Sequence, residues 1–432
     1  MKISVIITVH NAETYLSECL NSVITQTFSN IEILCMDGGS TDTSPQILKE
    51  YAEKDSRIRI INDPNTSYGH KVNEGIRLAK GEYISVLESD DMYQTDMLEK
   101  LTAIAEQHHP DFVNANYLEF YDVAGERYYL PVRMYKEEDY GYLQESGKHP
   151  ENMRQIIRYW TGLFKREFLL REKIRMNESP GASFQDLSFR FLTSALAETS
   201  YHIDEPVYLY RSDNPGSSVY DPKKAVITAD EFAFLKGELV KRKITNPHIW
   251  QHFYTWKYND LYANMVRFQG EARKALLDRT YQELETEQEI LRKKGYWEFS
   301  NAISDFLDKS RQEIGIEIES RYQSMLQNNF SRNDLYEEIV GRQLIIFGCG
   351  ARGRKLLRLL YDREDKILCC TDNAESLWNT TIEGKRILPP KDAVERYSES
   401  FFVVANKLHG EEVTLQLQEM GIRKDMIYIY NG

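Results

Sequence analysis

Residues 83–91 read Tyr-Ile-Ser-Val-Leu-Glu-Ser-Asp-Asp, a hydrophobic run that leads directly into three carboxylates. The run begins with the β-favouring residues Tyr83 and Ile84, and it predicts a buried strand of an α/β sheet. Open α/β sheets bind their ligands at the carboxyl ends of such strands. Three acidic groups in one place repel one another unless a divalent cation that prefers oxygen ligands lies between them. The alternative is a helix cap, because Asp91 precedes a helical pattern that starts near Thr95.

Length, charge and cysteine content exclude several classes of protein. The chain has 432 residues, which is too many for one ordinary core, so two or three domains are expected. Its net charge of −13 argues against nucleic-acid binding, because phosphate neutralisation needs a basic surface. No secretory signal is recognisable and no apolar run approaches the roughly 18 residues of a membrane span, so we expect a cytoplasmic protein. The five cysteines lack metal-ligand spacing, which favours buried thiols in a reducing compartment.

Strand and helix patterns alternate through the first hundred residues. Hydrophobic runs at 3–9, 31–36, 58–61 and 83–87 are separated by helical patterns, which predicts a parallel sheet with right-handed crossovers. Polar side chains follow the first, second and fourth of these runs: Thr8, His10 and Asn11, then Asp37, then Glu88, Ser89 and Asp90. In a doubly wound sheet these strand ends would converge on one crevice.

Four motifs, in order and at ordinary spacings, resemble those of the family 2 glycosyltransferases with the GT-A fold. They are Thr-Val-His-Asn at 8–11, Asp-Gly-Gly-Ser-Thr-Asp at 37–42, Val-Asn-Glu-Gly at 72–75 and the stretch at 81–91. The resemblance covers about the first 215 residues and implies a nucleotide-diphospho-sugar transferase fold. Five positions depart from the family pattern, which has proline, tyrosine, a second aspartate, arginine and aspartate where this chain has Thr8, His10, Gly38, Val72 and Glu88.

The resemblance implies a donor site at the strand ends. The residues expected to line it are Thr8, Val9, His10, Asn11, Asp37, Asn73, Glu88, Ser89 and Asp90. His10 is expected to lie against the nucleobase, and Asp37 to accept a hydrogen bond from the base or ribose, with a helix-entry cap as the alternative for Asp37. Lys71 is expected to replace the missing arginine at position 72 on the diphosphate, with His70 as the alternative.

A divalent metal ion is implied at the same place. Asp90 is the expected direct ligand of Mn²⁺ or Mg²⁺, and Glu88, which is one methylene longer than aspartate, is expected to reach the ion through water. Such an ion stabilises the negative charge that develops on a leaving diphosphate. Asp91 is expected to cap the following helix instead.

The resemblance implies functional roles for two further residues, Asp186 and Arg211. Asp186, which follows a glycine-containing loop and opens a helical pattern, corresponds to the family's general base, although Gln185 stands where the family usually has glutamate. Its alternative is a first-turn acid favoured by the helix dipole. One base without a second nucleophilic carboxylate implies inversion at the anomeric carbon. Arg211, before a serine-rich loop, corresponds to a phosphate clamp, with an exposed strand-end arginine as the alternative.

We expect three domains: a GT-A domain at 1–225, a helical linker or oligomerisation segment at 226–335, and a small Rossmann-like α/β domain at 336–432. The aromatic residues of the helical segment are expected to pack rather than to stack on sugars. In the last domain Gly348, Gly350 and Gly353 form a Gly-x-Gly-x-x-Gly motif, and Asp372 follows at the spacing of an NAD(P) site. No substrate domain accompanies this motif, which favours a structural or interaction role over cofactor binding.

The sequence therefore predicts an inverting, metal-dependent transferase of the hexosyltransferase type. The resemblance implies a nucleotide-sugar donor, most often a UDP-sugar, and a glycan or polyprenol-linked acceptor in capsule, exopolysaccharide or lipopolysaccharide synthesis. We expect at most peripheral contact with the inner face of the membrane, and a homo-oligomer is compatible with the helical segment. Two alternatives stay open: an NAD-dependent oxidoreductase that uses the C-terminal domain, and a non-catalytic glycan-assembly protein.

Overall fold

The computed structural model describes residues 2–145, 156–217, 221–406 and 408–432. The chain forms two compact units. The N-terminal unit consists of Met1–Tyr117 and Val132–Ser320, and the C-terminal unit consists of Leu118–Pro131 and Arg321–Gly432. The three-domain division at 225 and 335 stays a prediction. None of the helices within the described ranges is long and apolar enough to cross a membrane.

A mixed ten-stranded sheet lies mostly in the N-terminal unit. Its strands, in spatial order, run β3-β2-β1-β4-β9-β6-β10-β5, with β7 beside β6 and β8 beside β10. Their bounds are β1 Ile3–Val9, β2 Ile31–Asp37, β3 Ile58–Asn62, β4 Tyr83–Glu88, β5 Met92–Tyr93, β6 Phe112–Val123, β7 Glu126–Val132, β8 Leu143–Gln144, β9 Gly162–Lys165 and β10 Ser200–Arg211. The first four strands are parallel, and β9 joins β4 in the antiparallel sense. This α/β architecture is consistent with the GT-A fold.

Helices cover the parallel strands, of which β1, β2 and β4 are almost entirely buried and β3 is partly exposed. The bounds of these first helices are α1 Leu16–Ile24, α2 Ser44–Lys54, α3 Tyr68–Leu78, α4 Met97–His108, α5 Arg166–Arg171 and α6 Asp186–Leu196. Every residue of β1 and β2 is buried, as their continuous apolar runs predict. Helix α3 approaches the sheet closely at Gly75, where a Cβ atom would lie only 2.7 Å from Ile6 Cγ2.

Helices make up the rest of the N-terminal unit. Their bounds are α7 Ile227–Lys241, α8 Pro247–Arg267, α9 Gly270–Lys293, α10 Asn301–Asp308 and α11 Arg311–Ile339, the last of which continues into the C-terminal unit. The prediction that aromatic residues of this segment pack is confirmed for Phe253, Tyr254 and Tyr258, which are buried. Glu287 links α9 to α8 through a buried ion pair with Lys257 at 2.8 Å and a hydrogen bond from Tyr258 at 2.9 Å.

The C-terminal unit contains a six-stranded sheet in the order β13-β14-β12-β11-β15-β16. Its strands are β11 Leu344–Phe347, β12 Ile367–Thr371, β13 Thr381–Ile382, β14 Lys385–Leu388, β15 Phe401–Val404 and β16 Ile427–Ile429, and its helices are α12 Ala351–Leu359, α13 Pro390–Arg396 and α14 Gly410–Glu419. All pairings are parallel except that of β13 with β14. All five cysteines are buried thiols, as the sequence predicts.

Candidate active site

The carboxyl ends of β1, β2 and β4 bring the predicted strand-end residues together. Val9 lies opposite Asp37, and Thr8 lies opposite Glu88 in the parallel register. The Thr8 hydroxyl donates a hydrogen bond of 3.4 Å to Glu88 Oε2. Residues that are up to 80 positions apart in sequence therefore form one polar edge of the sheet.

The turn after β2 is built on Asp37. Its Oδ1 accepts hydrogen bonds from the Ser40 amide at 3.0 Å and the Ser40 hydroxyl at 2.7 Å. Asn11, with a φ of 50°, accepts a hydrogen bond from the Thr41 amide at 2.8 Å, and the His10 ring lies with Nδ1 3.2 Å from the Gly38 carbonyl oxygen. The two strand-end loops thus hold each other in place.

Lys71 occupies the space that a side chain at position 38 would fill. A Cβ atom on Gly38 would lie 2.2 Å from Lys71 Nζ. The lysine is buried, and its ammonium donates a hydrogen bond of 3.3 Å to the Asn65 carbonyl oxygen. Burial lowers the pKa of Lys71, while the charges of Asp63 and Asp37 act in the opposite direction. Lys71 therefore places a cation at the end of β2, where the family pattern has a carboxylate.

Asn73 ties α3 to the segment that precedes Asp186. Its amide nitrogen donates to the Met176 carbonyl oxygen at 3.0 Å and to Glu178 Oε1 at 2.9 Å, and its oxygen accepts from the Met176 amide at 3.0 Å. His70 contacts the same Glu178 at 3.1 Å and Asp63 at 3.0 Å. These contacts give Asn73 and His70 a role in holding that segment, and donor binding by Asn73 stays a prediction.

Glu88 is held by two tyrosine hydroxyls. Tyr68 donates to Glu88 Oε1 at 2.5 Å, Tyr159 donates to the same oxygen, and the two hydroxyls are 2.9 Å apart. Burial raises the pKa of Glu88 to about 7 against the hydrogen bonds from the tyrosines, with the charges of Asp90 and Asp186 adding to the increase. The metal contact predicted for Glu88 stays a prediction.

Asp90 and Asp91 face different partners. Asp90 Oδ2 accepts a hydrogen bond of 2.7 Å from the Asn214 side chain, whereas the buried Asp91 accepts from the Tyr208 hydroxyl at 2.7 Å and the Arg211 amide at 2.8 Å. The prediction that Asp91 caps a helix is wrong. Helix α4 begins at Met97, and β5 lies between Asp91 and that helix because it pairs with β10.

The Arg211 guanidinium is already engaged by protein groups. It forms an ion pair with Glu18 at 2.5 Å, donates to the Asp90 carbonyl oxygen at 3.1 Å and lies 4.2 Å from the centre of the Tyr15 ring. Its side chain is buried rather than exposed, which excludes the alternative of an exposed strand-end arginine. The end of the serine-rich loop, at 218–220, lies outside the described residues.

Asp186 is the first residue of α6, where the helix dipole favours its charge. Its Oδ2 forms an ion pair of 3.1 Å with Arg190, one turn later in the helix. Arg190 is itself fixed by a hydrogen bond of 2.8 Å to the Ile157 carbonyl oxygen and by the Trp256 ring, 5.1 Å away. The charge of Asp186 acts on Glu88, because it contributes to the raised pKa of that residue. Through Arg190 and Ile157, Asp186 is connected to the turn that carries Tyr159, a hydrogen-bond donor to Glu88.

The donor set fits a divalent ion that is bound mainly by substrate oxygens. No group of three His, Cys, Asp or Glu side chains converges on one point in the part of the chain that the structure describes. Mg²⁺ and Mn²⁺ are commonly held by one or two carboxylates together with phosphate oxygens and water. Asp90 supplies one such carboxylate at the end of β4, beside Ser89. The residues present therefore fit an ion that arrives with a diphosphate, and they do not form an all-protein cage.

The C-terminal glycine motif has the expected backbone conformation, but its acidic residue already accepts hydrogen bonds from the protein backbone. Gly348 has a φ of 106°, and a Cβ atom on Gly353 would lie 1.9 Å from the Gly348 carbonyl oxygen, so both positions require glycine. Gly350 directly precedes α12. Asp372 accepts hydrogen bonds from the Cys349 amide at 2.7 Å and from the Ala374 amide at 2.8 Å. The carboxylate that would bind a ribose thus fastens the glycine loop to the end of β12.

Sequence reasoning did not find several residues of the site. Tyr68 and Tyr159 hold Glu88, Arg190 holds Asp186, and Glu231 on α7 accepts hydrogen bonds from Asn177 and Ser179. Tyrosine in a helix and arginine four residues after an acid are common, so neither carries a signal by itself. Only the spacing of Asp186 and Arg190, which places them on one helix face, was available as an indication.

Comparison with known proteins identifies two matching family models. Residues 4–168 match Glycosyl transferase family 2, and residues 340–428 match C2185-like, N-terminal. The uncharacterized glycosyltransferase EpsJ of Bacillus subtilis is 32% identical over 228 residues, which are 51% of this chain and 64% of EpsJ. Glycosyltransferase GlyA of Streptococcus pneumoniae is 32% identical over 49% of this chain and 30% of GlyA. The matched region thus spans less than two thirds of these two relatives.

A further relative is covered more completely. Glycosyltransferase GlyG of Streptococcus pneumoniae is 31% identical over 215 residues, which are 48% of this chain and 70% of GlyG. Among solved structures, S. aureus TarS 1–349 in complex with UDP-GlcNAc has a TM-score of 0.41 at 18% identity, over 71% of this chain and 91% of that chain. Mannosyltransferase PcManGT from Pyrobaculum calidifontis, in complex with GDP-Man and Mn²⁺, has a TM-score of 0.43 at 15% identity, over 71% and 84%.

Proposed function

The chain belongs to glycosyl transferase family 2, and we propose that it is an inverting transferase that moves a sugar from a nucleotide-diphosphate donor to a hydroxyl group of its acceptor. The observation that supports the proposal is the polar edge at the ends of β1, β2 and β4. Its Glu88 accepts a hydrogen bond from Tyr159, and two residues before Tyr159 the Ile157 carbonyl oxygen holds Arg190, the ion-pair partner of Asp186. A base and a diphosphate-binding carboxylate in one crevice are what this reaction needs.

The donor nucleotide lies across the strand ends in this proposal. Asp37 and His10 contact the nucleoside, and Lys71 and Arg211 supply positive charge near it. Arg211 must leave Glu18 to contact a phosphate, so we expect donor binding to exchange one charge-assisted hydrogen bond for another. A UDP-sugar is the proposed donor, on the resemblance of the motifs.

Asp90 is the proposed protein ligand of Mn²⁺ or Mg²⁺, whose charge would stabilise the leaving diphosphate. The hydrogen bond from Asn214 fixes the orientation of the Asp90 carboxylate, which is the usual task of a neighbour to a metal ligand. With a single carboxylate from the protein, affinity for the ion alone is expected to be low and to rise when a nucleotide diphosphate is present.

Asp186 is the proposed general base. The acceptor hydroxyl gives its proton to the Asp186 carboxylate while its oxygen forms a bond to the anomeric carbon. The bond from that carbon to the donor phosphate oxygen breaks in the same step, and its electron pair leaves with the diphosphate. Attack from the face opposite the leaving group inverts the anomeric carbon. Arg190 orients the carboxylate through the ion pair that it forms one turn later in α6.

The proposal extends to the acceptor and to the place where the reaction occurs. The acceptor is a glycan or polyprenol-linked molecule of bacterial capsule, exopolysaccharide or lipopolysaccharide synthesis, handled in the cytoplasm or peripherally at the inner face of the membrane. Residues 336–432 are a Rossmann-like appendage. The NAD-dependent alternative is not favoured, because Asp372 already binds the glycine loop.

Two measurements test the proposal: the thermal stabilisation of the protein by ligands, and its rate of turnover. A panel of nucleotide sugars is screened for a raised melting temperature with Mn²⁺ and with EDTA, since a ligand that binds the folded state stabilises it. Asp186→Asn is expected to keep that stabilisation and to lose transfer or donor hydrolysis by about 100-fold or more, the usual effect of a general base.

The exposed Glu99→Gln on α4 is the matched control and is expected to change neither quantity. Normal turnover in Asp186→Asn would rule out the mechanism. If no nucleotide sugar stabilises the wild-type protein with or without Mn²⁺, the proposed donor class is wrong, and the non-catalytic alternative is favoured.

A further inference from the structure

The Glu88 carboxylate is the meeting point of three elements. It stands at the end of β4, and its Oε1 accepts hydrogen bonds from Tyr68 at the start of α3 and from Tyr159 in the turn before β9. Among the described residues, its Oε2 accepts a single long hydrogen bond of 3.4 Å, from Thr8. Both short contacts therefore go to the same oxygen, and both come from neutral hydroxyl donors.

Tyr68 connects this carboxylate to one side of the segment that carries Asp186. The Tyr68 amide donates a hydrogen bond of 2.9 Å to the Gly181 carbonyl oxygen. The next residue, Gly69, lies so close to that segment that a Cβ atom would be 1.8 Å from the Asn177 carbonyl oxygen. The start of α3 and residues 177–181 are thus packed backbone to backbone, with Tyr68 at the contact.

Tyr159 connects the carboxylate to the other side. Its ring meets Phe189 of α6 edge to face, with 6.4 Å between ring centres. Two residues before it, the Ile157 carbonyl oxygen accepts the hydrogen bond that fixes Arg190, and Arg190 is the ion-pair partner of Asp186. A displacement of Tyr159 would therefore be transmitted to both the helix and the arginine that orient Asp186.

We propose that Glu88 is a positioning residue for Asp186 and is not a ligand of the metal ion: its carboxylate fixes Tyr68 and Tyr159, and they fix the two sides of residues 177–186. The inference rests on the proposed function in one respect, since Asp186 is taken as the base. It assigns the glutamate that replaces the family's aspartate to the acceptor side of the reaction. The metal-binding carboxylate of the motif is then Asp90 alone.

Glu88→Gln distinguishes a positioning role of Glu88 from a role as metal ligand. Both tyrosines donate to Oε1, so a glutamine oxygen at that place keeps both hydrogen bonds, and its amide nitrogen can donate to Thr8. Glu88→Ala and the double variant Tyr68→Phe/Tyr159→Phe remove the contacts instead. Tyr142→Phe, at an exposed tyrosine, is the matched control for loss of a hydroxyl.

Two measurements on the full chain decide the question. The first is Mn²⁺ affinity in the presence of UDP, by calorimetry. We expect Glu88→Gln to change it less than twofold and Asp90→Asn to weaken it about tenfold or more, as for loss of a charged contact. The second is amide hydrogen exchange of residues 177–186. We expect about tenfold faster exchange in Glu88→Ala and in the double phenylalanine variant, and no change in Glu88→Gln or Tyr142→Phe.

The double phenylalanine variant is also expected to lower kcat for transfer, expressed per folded molecule as measured by unfolding at the assay temperature, while the KM for the donor stays within twofold. Weakened Mn²⁺ binding in Glu88→Gln, or unchanged exchange at 177–186 in both variants that remove the contacts, would overturn the inference. Failure of the wild-type protein to bind Mn²⁺ and UDP would count against the proposed function, and the exchange measurement would still decide the role of Glu88.

Discussion

Glu231 is a buried carboxylate on α7 that supports the segment before Asp186. It accepts hydrogen bonds from Ser179 at 2.6 Å and from Asn177 at 3.0 Å. Burial raises the pKa of Glu231 to about 7, although these hydrogen bonds act in the opposite direction, and the charges of Asp186 and Asp230 add to the increase. A carboxyl in the unfolded chain titrates near 4.5, so the folded state holds this proton over a range in which the unfolded state has lost it.

Glu231→Gln is therefore expected to change how stability depends on pH. Where the folded state binds more protons, the free energy of unfolding falls as pH rises, here between about pH 4.5 and 7, and it is level above that range. Glutamine removes this dependence, so the variant gains stability relative to the wild type at pH 8, by at most about 3 kcal/mol, and gains little at pH 5. Urea unfolding at both pH values measures the difference. The exposed Glu271→Gln is the control, and an equal effect of Glu231→Gln at both pH values would contradict the assignment.

Single positions also explain why some site residues were predictable and others were not. Asp37, Asp90 and Asp186 each belong to a motif that is visible in the sequence, and their roles in the site stay predictions. The relation between Gly38 and Lys71 is different, because the ammonium that fills the empty position comes from a residue 33 places later. The hydrogen bonds from Tyr68 and Tyr159 to Glu88 were equally unpredictable. Their hydroxyl groups come from residues 20 and 71 positions away, and such distant contacts leave no pattern in a single sequence.

At the scale of elements, the segment before α6 is built around a buried glutamine. Gln185 Nε2 donates to the Gly181 carbonyl oxygen at 2.9 Å and to the Ser179 carbonyl oxygen at 3.2 Å, and its Oε1 accepts from the Ser183 amide at 2.5 Å. Phe184 in this segment has a φ of 59°, a conformation that side chains other than glycine rarely adopt. The glutamine thus closes a turn that its neighbours alone would not hold.

Gln185→Glu is expected to destabilise this segment, although glutamate is the common residue of the family at this place. A carboxylate cannot donate hydrogen bonds to the Ser179 and Gly181 carbonyl oxygens. Buried carbonyl oxygens that lose their donor lower the free energy of unfolding by roughly 2 kcal/mol. The melting temperature is expected to fall by several degrees, more at pH 8 than at pH 5, because protonation of the carboxyl restores one donor. Gln288→Glu, on the exposed face of α9, controls for the added charge. A melting temperature that does not change at either pH would show that the segment does not depend on the amide.

The strands show where sequence reasoning is strong. The first four were predicted within a residue or two. For β1, β2 and β4 the reason is that continuous apolar runs indicate strands buried on both faces, whereas β3 is a partly exposed edge strand. The helix cap predicted for Asp91 failed because the two residues of β5 pair with β10, which lies more than 100 residues later. The pair β13 and β14 was missed because both strands are short and flanked by polar residues.

At the scale of the whole molecule, the C-terminal unit is assembled from two separate pieces of chain. The tip of the β6–β7 hairpin, Leu118–Pro131, belongs to this unit together with residues 321–432. Tyr128 is fully buried there, its ring stacks on Tyr336 with 4.1 Å between centres, and its hydroxyl donates to the Tyr336 carbonyl oxygen at 3.0 Å. Arg363 lies over the same ring and donates to the Arg127 carbonyl oxygen at 2.9 Å. Domain boundaries predicted from composition divide the chain into consecutive segments. They could not identify a unit that combines two segments separated in sequence.

Tyr128→Ala tests whether the hairpin tip is part of that core. Removing a buried aromatic side chain costs about 3–5 kcal/mol, and the cost falls on the cooperative unit that contains it. We therefore expect faster amide exchange in β11 and β15, with exchange in β1 and β2 unchanged. Tyr361→Ala, at an exposed tyrosine of the same unit, is the matched control and is expected to alter neither set of strands. If β1 and β2 lose protection while β11 and β15 keep theirs, the tip belongs to the N-terminal unit instead, and the boundary at residue 118 is wrong.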